Sequence, residues 1–282
     1  MTLLKSVSQT LFLITRVRIR HFSRGPKHVL RLVRIFLLKF LPDFSINKGR
    51  SWRVSNLRFG VVLTVYNQTA HEIKCCINSV RSSTLEIDEI IIYDDGSTRE
   101  ETLAFLNTIN LKDNERFIRK PNAGVVYARN RAAEYIESDY ILFIDPDDEL
   151  DINFVERAKE AIQNSRNIDI VYSNVRVKTE KGDRLEDWKT GPFNPFMLRY
   201  LNTIPMTSLV RLSIFRELQG FSPEFESGFE DWDFWYRCSL SGVKAKKVEG
   251  YAHVYTKKLI SRSSSMKDNS LKLRDRWSGI FV

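Results

Sequence analysis

From Arg58 onwards, short apolar runs alternate with stretches of helical periodicity. The strand-like runs lie at 59–65, 89–93, 116–119, 140–144 and 168–172. Helical stretches follow the first four of them, at 70–81, 99–110, 124–137 and 151–164. This alternation favours an α/β fold, in which a mostly parallel sheet is covered by helices on both faces. Ligands of such sheets bind at the carboxyl ends of the strands.

The positive charge of the chain is confined to its first part. The 282 residues include 44 Lys and Arg against 35 Asp and Glu, which gives a net charge of +9. Residues 1–58 hold 13 of those bases and one acid, so this segment carries +12 and the remainder carries −3. We therefore expect a basic N-terminal arm at 1–57, a slightly acidic domain at 58–265 and a helical C-terminal tail at 266–282.

The arm has the pattern of an amphipathic helix. Six bases recur every three or four residues and fall on one stripe: Arg16, Arg20, Arg24, Lys27, Arg31 and Arg34. Leu30, Val33 and Leu37 fall on another side. This pattern predicts that residues 16–41 lie on an anionic membrane surface. The alternative is a helix that packs on the domain. Nucleic acid is not expected, because no basic stripe with interleaved aromatics continues beyond the arm.

Cysteine content and hydropathy indicate the compartment. The three cysteines, Cys75, Cys76 and Cys238, form no disulfide framework, which favours a reducing environment. No apolar run approaches the ~18–20 residues of a spanning helix. The apolar segment at 11–14 is brief, and no small-residue cleavage site follows it. We expect a cytoplasmic protein that is peripheral on the cytoplasmic face of the membrane.

Paired carboxylates follow two of the predicted strands. Asp94 and Asp95 end the second strand, and Asp145 and Asp147 end the fourth. A lone Asp at a strand end is usually a helix cap or a turn former, and that alternative applies to each cluster. Two clusters that converge on one edge repel each other unless a cation or a hydrogen-bond donor lies between them. Mg²⁺ and Mn²⁺ take such ligands and share their other positions with substrate phosphates.

These motifs occur in the order and at the spacing of a known family. They read TVYN at 64–67, DDGS at 94–97, NAG at 122–124, ARN at 128–130, FIDPDD at 143–148 and GFEDWDFWYR at 228–237. The set resembles family 2 glycosyltransferases, which have the Rossmann-like GT-A fold. The resemblance covers residues 58–265. Each motif is weak by itself, whereas the whole set in register is specific.

The resemblance implies a nucleotide-diphosphate sugar donor, most often UDP-linked. Tyr66 would stack near the base with Thr64 beside it, and Asp94 and Asp95 would bind the base and the ribose. The complete set of implied donor-binding residues is Thr64, Tyr66, Asp94, Asp95, Asn122, Gly124, Arg129, Asp145 and Lys258.

The diphosphate and its metal would lie between the two clusters. Gly124 permits close approach of the backbone to the diphosphate, and Arg129 supplies charge. The resemblance implies that Asp147 holds a divalent cation, Mn²⁺ or Mg²⁺, and that Asp145 contacts the ribose or the ligand sphere of the metal. Such a cation would offset the charge on the departing nucleoside diphosphate.

On the acceptor side, the resemblance implies that Asp231 is the general base, with Glu230 beside it. A single displacement with inversion would then add one sugar to a hydroxyl of a glycan or lipid-linked glycan. The alternative is that both acids merely begin a helix, since acids favour helix N-termini. Trp232 and Trp235 would either line a sugar site or pack in the core.

The chain departs from the family at two places. Lys258 aligns where members often have a histidine that reaches the metal or diphosphate, and a protonated lysine cannot ligate a metal. His253 lies five residues earlier and is a second candidate, although a structural role is its alternative. Residues 273–277 read LRDRW, without the glutamine of the processive Gln-x-x-Arg-Trp motif, so a polymer synthase is not expected.

Two other functions are compatible with some of these features. A nucleotidyltransferase shares the need for strand-end acids, but it normally has a Gly-rich, basic phosphate loop after the first strand, where this chain has TVYNQ. A catalytically degenerate nucleotide-sugar-binding module docked at the membrane stays open because of the departure at Lys258.

Overall fold

The central strands form where the sequence has its apolar runs. They are β1 (Phe59–Val65), β2 (Glu89–Asp94), β3 (Glu115–Arg119) and β4 (Tyr140–Ile144). β1 pairs in parallel with both β2 and β4, and β2 pairs in parallel with β3. Every residue of β1 and β4 is buried, as expected when helices cover both faces of a parallel sheet. The predicted α/β fold is confirmed.

The computed structural model describes residues 56–165 and 167–258. Four helices connect or follow the central strands: α1 (Ala70–Arg81), α2 (Glu100–Thr108), α3 (Val125–Ala133) and α4 (Phe154–Asn164). The arm before residue 56 and the tail at 266–282 lie outside the described residues, so the predictions for both stay predictions.

The second half of the sheet is mixed. Its strands are β5 (Glu149–Leu150), β6 (Ile170–Thr179), β7 (Leu209–Arg211) and β8 (Ala245–Lys257). The order across the eight strands is β3-β2-β1-β4-β7-β6-β8-β5. β7 is antiparallel to β4 and β6, whereas β6 and β8 are parallel and β5 is antiparallel to β8. The parallel pairing predicted from the sequence is therefore present among β1, β2, β3 and β4.

Three further helices and one 3₁₀ turn lie in the second half of the described residues. They are α5 (Pro195–Leu198), α6 (Leu212–Glu217), a 3₁₀ turn (Pro223–Phe225) and α7 (Glu230–Leu240). No helix in the described part of the chain is long and apolar enough to cross a membrane.

The sheet has an apolar layer on each face. On one face, alternate residues of β1 such as Leu63 pack with α1, α2 and α4. On the other, Phe143 of β4 contacts Phe215 and Phe221, with ring centroids 5.1 and 5.0 Å apart. Trp235 is 1% exposed, so it belongs to the core rather than to a sugar-binding wall.

Candidate active site

The turn after β2 is built by Asp94 and Gly96. The Asp94 carboxylate is fully buried, and its Oδ1 accepts a hydrogen bond from the backbone N–H of Ser97 at 3.0 Å. Its Oδ2 lies 3.2 Å from Nε of Arg119. Gly96 has a φ of +72°, and a Cβ there would lie 2.5 Å from the backbone nitrogen of Asn122. The missing side chain of Gly96 therefore lets the loop after β3 close on the end of β2.

Asp95 holds that loop in place. Its two carboxylate oxygens accept hydrogen bonds from the backbone N–H groups of Ala123 at 3.0 Å and Gly124 at 2.9 Å. The Asn122 amide donates to the same carboxylate at 3.1 Å. Burial raises the pKa of Asp95, and the two backbone hydrogen bonds offset that effect only in part. Three predicted donor-binding residues, Asp95, Asn122 and Gly124, are thus brought together by direct hydrogen bonds.

The loop after β1 borders the same edge of the sheet. Thr64 is buried, whereas Tyr66 is 47% exposed, so the predicted stacking of a base on its ring stays a prediction. Asn67 follows with a φ of +63°, and its side-chain oxygen accepts hydrogen bonds from the backbone N–H groups of Thr98 and Arg99. Asn67 therefore ties the β1 loop to the start of α2.

Glu226 lies at the N-terminus of α3. Its Oε2 accepts a hydrogen bond from the backbone N–H of Val126 at 3.1 Å. A Cβ on Gly124, whose φ is +94°, would lie 2.6 Å from the carboxyl carbon of Glu226. The glycine predicted to admit a diphosphate thus also admits this carboxylate, which the positive end of a helix favours.

Arg129 joins the end of β4 to the start of α7. Its guanidinium donates to Asp145 and, at 2.5 Å, to Oε1 of Glu230. The Arg129 and Glu230 side chains are each 3% exposed. Burial lowers the pKa of Arg129, but the two carboxylates outweigh that effect and raise it, so the group stays charged. Arg129, which is predicted to bind the diphosphate, therefore bridges two carboxylates of the protein in this structure. Its contact with a donor stays a prediction.

Asp231 accepts two hydrogen bonds, which favour its charged form, but burial still raises its pKa. Its Oδ2 accepts from the Asn202 amide at 3.0 Å, and its Oδ1 accepts from the backbone N–H of Trp232 at 2.7 Å. Burial, and after it the charge of Glu230, raises the pKa of Asp231 to about 6. A carboxylate with that pKa is ionised at neutral pH and takes a proton more readily than an ordinary aspartate.

Backbone strain lies directly before the acidic pair. Phe229 precedes α7 with a φ of +70° and a ψ of 14°, which is the left-handed region that a bulky residue rarely adopts. The Trp232 indole donates to the backbone oxygen of Leu198 at 2.5 Å, which fixes the first turn of α7 against α5. Backbone strain of this kind is typical of active sites and ligand-binding sites, where it helps to fix the orientation of a side chain.

Lys258 lies between two carboxylates at the end of β8. Its Nζ is 2.9 Å from Oδ2 of Asp147 and 2.6 Å from Oε1 of Glu72. Burial lowers the pKa of Lys258, but the hydrogen bonds to Glu72 and Asp147 outweigh it and raise the pKa. Burial and the Asp145 charge raise the pKa of Asp147 although Lys258 opposes them. Lys258 is therefore a charged partner of Asp147. This residue is the second acid of the Asp-x-Asp motif, which comprises Asp145, Pro146 and Asp147.

Asp148, directly before β5, contacts His253 of β8. Both side chains are buried, and His253 Nε2 lies 3.5 Å from Asp148 Oδ2. The backbone N–H of Thr256 donates to Asp148 Oδ1 at 3.0 Å. Burial lowers the pKa of His253 to about 4, so the imidazole is neutral at pH 7. These contacts give His253 a structural role in the strand pairing.

The divalent cation implied by the family resemblance does not suit this donor set. Asp145 receives the Arg129 guanidinium, and Asp147 receives the Lys258 ammonium. A dication on these carboxylates would lie beside two positive charges and would have to displace them. In the described ranges, no group of three or more His, Cys, Asp or Glu side chains is placed to hold a metal ion. The described residues therefore do not match the Mn²⁺ or Mg²⁺ that the resemblance implies.

Sequence reasoning missed three residues that shape the site. Glu72 lies on α1, Asn202 on the loop after α5 and Glu226 after the 3₁₀ turn. Glu72 carries a local signal, because Thr69 and Glu72 form the capping box of α1. That signal predicts a helix start and says nothing of Lys258. Asn202 and Glu226 have no pattern that separates them from other polar loop residues.

Known proteins resemble this chain over most of the described domain. An uncharacterised glycosyltransferase of Methanocaldococcus jannaschii is 25% identical over 202 residues, which cover 69% of this chain and 69% of that protein. The hyaluronan synthase of Pasteurella multocida is 26% identical over 186 residues, which cover 64% of this chain and 19% of the synthase. The chain thus spans about a fifth of the synthase it matches.

Among solved structures, S. aureus TarS 1–349 in complex with UDP-GlcNAc aligns with a TM-score of 0.60 and 19% identity. The alignment covers 77% of this chain and 64% of that chain, and it shows a shared fold. The profile of Glycosyl transferase family 2 matches residues 60–225, which is more than half of the 282 residues. The chain therefore belongs to glycosyltransferase family 2 and has the GT-A fold.

Proposed function

We propose that this protein transfers one sugar from a UDP-linked donor to a hydroxyl group of a glycan or lipid-linked glycan, with inversion at the anomeric carbon. The observation that carries the proposal is the position of Arg129, which donates to Asp145 and to Glu230. That bridge links Asp145, which is predicted to lie on the donor side, to the helix that begins with Glu230 and Asp231, the predicted base. The complexes of TarS with UDP-GlcNAc and UDP, on the same fold, support a UDP-sugar as donor.

Asp231 acts as the base of the proposed step. The acceptor oxygen attacks the anomeric carbon while its proton passes to the Asp231 carboxylate. The bond between that carbon and the diphosphate oxygen breaks, and its electron pair leaves on the nucleoside diphosphate. Attack opposite the leaving group inverts the configuration through an oxocarbenium-like state. Asn202 and the backbone N–H of Trp232 orient the carboxylate for this role.

The acceptor and the membrane contact are inferred from the arm. Residues 16–41, which lie outside the described residues, would hold the enzyme on an anionic leaflet where a lipid-linked glycan is presented. Similar proteins are named hyaluronan synthase, chondroitin synthase and teichoic acid poly(glycerol phosphate) polymerase. Those names support an envelope or extracellular glycan as the acceptor class.

A nucleotide panel followed by a turnover assay tests this function. Thermal unfolding is measured with UDP, GDP, dTDP and CDP, each with EDTA and with Mn²⁺. A ligand at ~100 times its dissociation constant adds about 2.7 kcal/mol of stability, so binding of UDP should raise the unfolding temperature. No shift with any of the four nucleotides contradicts the proposal.

Turnover separates an enzyme from a binding module. With UDP-sugars and glycan acceptors, the wild type should release UDP, and Asp231→Asn should bind UDP without releasing it at the wild-type rate. Asp183→Asn, at an exposed turn, is the control. Binding without release in wild type and variant alike would favour the catalytically degenerate module.

A further inference from the structure

We infer that Lys258 supplies, as a fixed ammonium group, the positive charge at the donor diphosphate that the family resemblance assigns to a divalent cation. The protein would then bind its nucleotide without Mn²⁺ or Mg²⁺. This inference rests on the proposed function, since it concerns the donor of the same site.

The first support is the position of the ammonium. Lys258 Nζ lies 2.9 Å from Asp147 Oδ2, on the residue that the resemblance assigns to the metal. The side chains of Lys258 and Asp147 are 25% and 23% exposed, so a ligand from solvent can reach both. The ammonium therefore stands at the carboxylate where a dication would otherwise lie.

The second support is that Lys258 is anchored. Glu72 Oε1 accepts from its ammonium at 2.6 Å. Glu72 Oε2 accepts from both the backbone N–H and the hydroxyl of Thr69, each at 2.8 Å, as part of the capping box of α1. A carboxylate fixed by a helix cap holds the ammonium at one point. Charge that is positioned before the reaction stabilises developing charge without reorganisation.

The third support is the balance of charges around Asp145. Arg129 donates to Asp145, so each acid of the Asp-x-Asp motif already has a cationic partner. Of the three donor hydrogens of the Lys258 ammonium, the carboxylates of Glu72 and Asp147 take two. Among residues 56–165 and 167–258, no other acceptor contacts this ammonium, so the third hydrogen would go to a diphosphate oxygen, where it would offset the negative charge that grows as the bond to the sugar breaks.

Isothermal titration of UDP, GDP, dTDP and CDP into the full chain tests the inference, in EDTA and in Mn²⁺. The nucleotide that binds wild type should do so with dissociation constants that differ by less than about threefold between the two conditions. Lys258→Met should weaken binding in EDTA by about tenfold or more, as expected for the loss of a charge-assisted hydrogen bond. Lys257→Met, at the exposed neighbouring position, is the matched control and should bind as wild type does.

A gain of metal dependence gives a second readout. Lys258→His replaces the ammonium with a neutral metal ligand, so its nucleotide affinity should rise when Mn²⁺ is added. Electron paramagnetic resonance of Mn²⁺ should detect binding to Lys258→His with nucleotide and none to wild type. Circular dichroism and urea unfolding show that each variant folds.

The outcomes are distinct. Nucleotide binding by wild type that requires Mn²⁺ overturns this inference and leaves the proposed transferase intact. Binding in EDTA that is equally tight in wild type and Lys258→Met also overturns it. No binding of any of the four nucleotides under either condition overturns the proposed function together with the inference.

Discussion

The guanidinium of Arg129 donates a hydrogen bond to the Glu230 carboxylate over 2.5 Å, although 101 positions separate the two residues. Both side chains are almost fully buried. The same guanidinium donates to Asp145, so one cation compensates two carboxylates that belong to different parts of the site. The start of α7 is thereby fixed to the end of β4.

Loss of this bridge should destabilise the fold. Arg129→Met removes the buried cation that Glu230 and Asp145 share, so we expect the free energy of unfolding to fall by about 3–5 kcal/mol. Urea unfolding measures the change. Arg131→Met, two residues along α3 at an exposed ion pair with Glu134, should cost at most about 1 kcal/mol. Equal losses in the two variants would mean that the buried bridge contributes no more than a surface pair.

The hydrogen bond from Asn202 should set the pH dependence of transfer. Wild-type transfer should rise with pH through about 6, where Asp231 loses its proton. The Asn202 amide favours the charged carboxylate, so Asn202→Ala should raise the pKa of Asp231 and move this limb to higher pH. Rate profiles at saturating donor measure the midpoint. An unchanged midpoint, identical to that of the exposed control Asn164→Ala, would argue against Asp231 as the base.

Removal of the Asp231 charge should stabilise the protein while it slows transfer. The folded chain raises the pKa of Asp231 from 3.8 to about 6, so it binds this proton more tightly than the unfolded chain does. The free energy of unfolding therefore falls as pH rises between those values. At about pH 7, Asp231→Asn should be more stable than wild type by about 1–3 kcal/mol, and the difference should vanish below about pH 4.

The kinetic effect of the same substitution is opposite in sign. Asp231→Asn should lower transfer by roughly 10²–10⁴-fold and leave nucleotide binding intact. Urea unfolding across pH and UDP-release assays measure the two effects. A variant that is less stable than wild type at neutral pH would show that the carboxylate is favoured in its charged form.

Gly96 should be required for its close contact and not only for its backbone angle. Gly96 and Gly182 have φ values of +72° and +89°, but a Cβ at Gly182 would meet no atom within 4 Å. Gly182→Ala should therefore cost about 1–2 kcal/mol, the ordinary cost of the left-handed region. Gly96→Ala should cost about 1–3 kcal/mol more, because its Cβ would displace Asn122.

Nucleotide affinity checks the same pair of variants. Displacement of Asn122 disturbs the hydrogen bonds from Asn122, Ala123 and Gly124 to Asp95, so Gly96→Ala should also weaken UDP binding. Gly182→Ala should leave UDP binding unchanged. Equal stability and equal UDP affinity in the two variants would show that the close contact between Gly96 and Asn122 is not required.

The basic stripe of the arm should drive membrane association. Each base near an anionic surface contributes about 1 kcal/mol, so Arg31→Glu with Arg34→Glu should weaken binding to phosphatidylserine-containing vesicles by tenfold or more. Vesicle sedimentation of the full chain measures this, with neutral phosphatidylcholine vesicles as the control. Binding that is unaffected by the reversal would favour an arm that packs on the domain.

Much of the sheet could be predicted because its signals are local. Continuous apolar runs produced β1 and β4, and the polar residues that follow them predicted which end of the sheet holds the site. β5 and β7 have two and three residues, which is too short for a periodic pattern to show. The sequence could not show whether Trp235 is buried or stacks on a sugar. Trp232 and Trp235 are three residues apart on α7, and only the packing of the helix decides which of them faces the core.

The sequence alone determined the α/β architecture and brought Asp95, Asp145 and Asp147 to one edge, because the carboxyl ends of adjacent parallel strands meet there. Only the tertiary structure decided which cations face those carboxylates. Lys258 meets Glu72 across 186 positions, and this contact exists because the residue after β8 lies beside the first turn of α1. Pairings between distant residues depend on how whole strands and helices pack, and no local pattern of residue types encodes that packing.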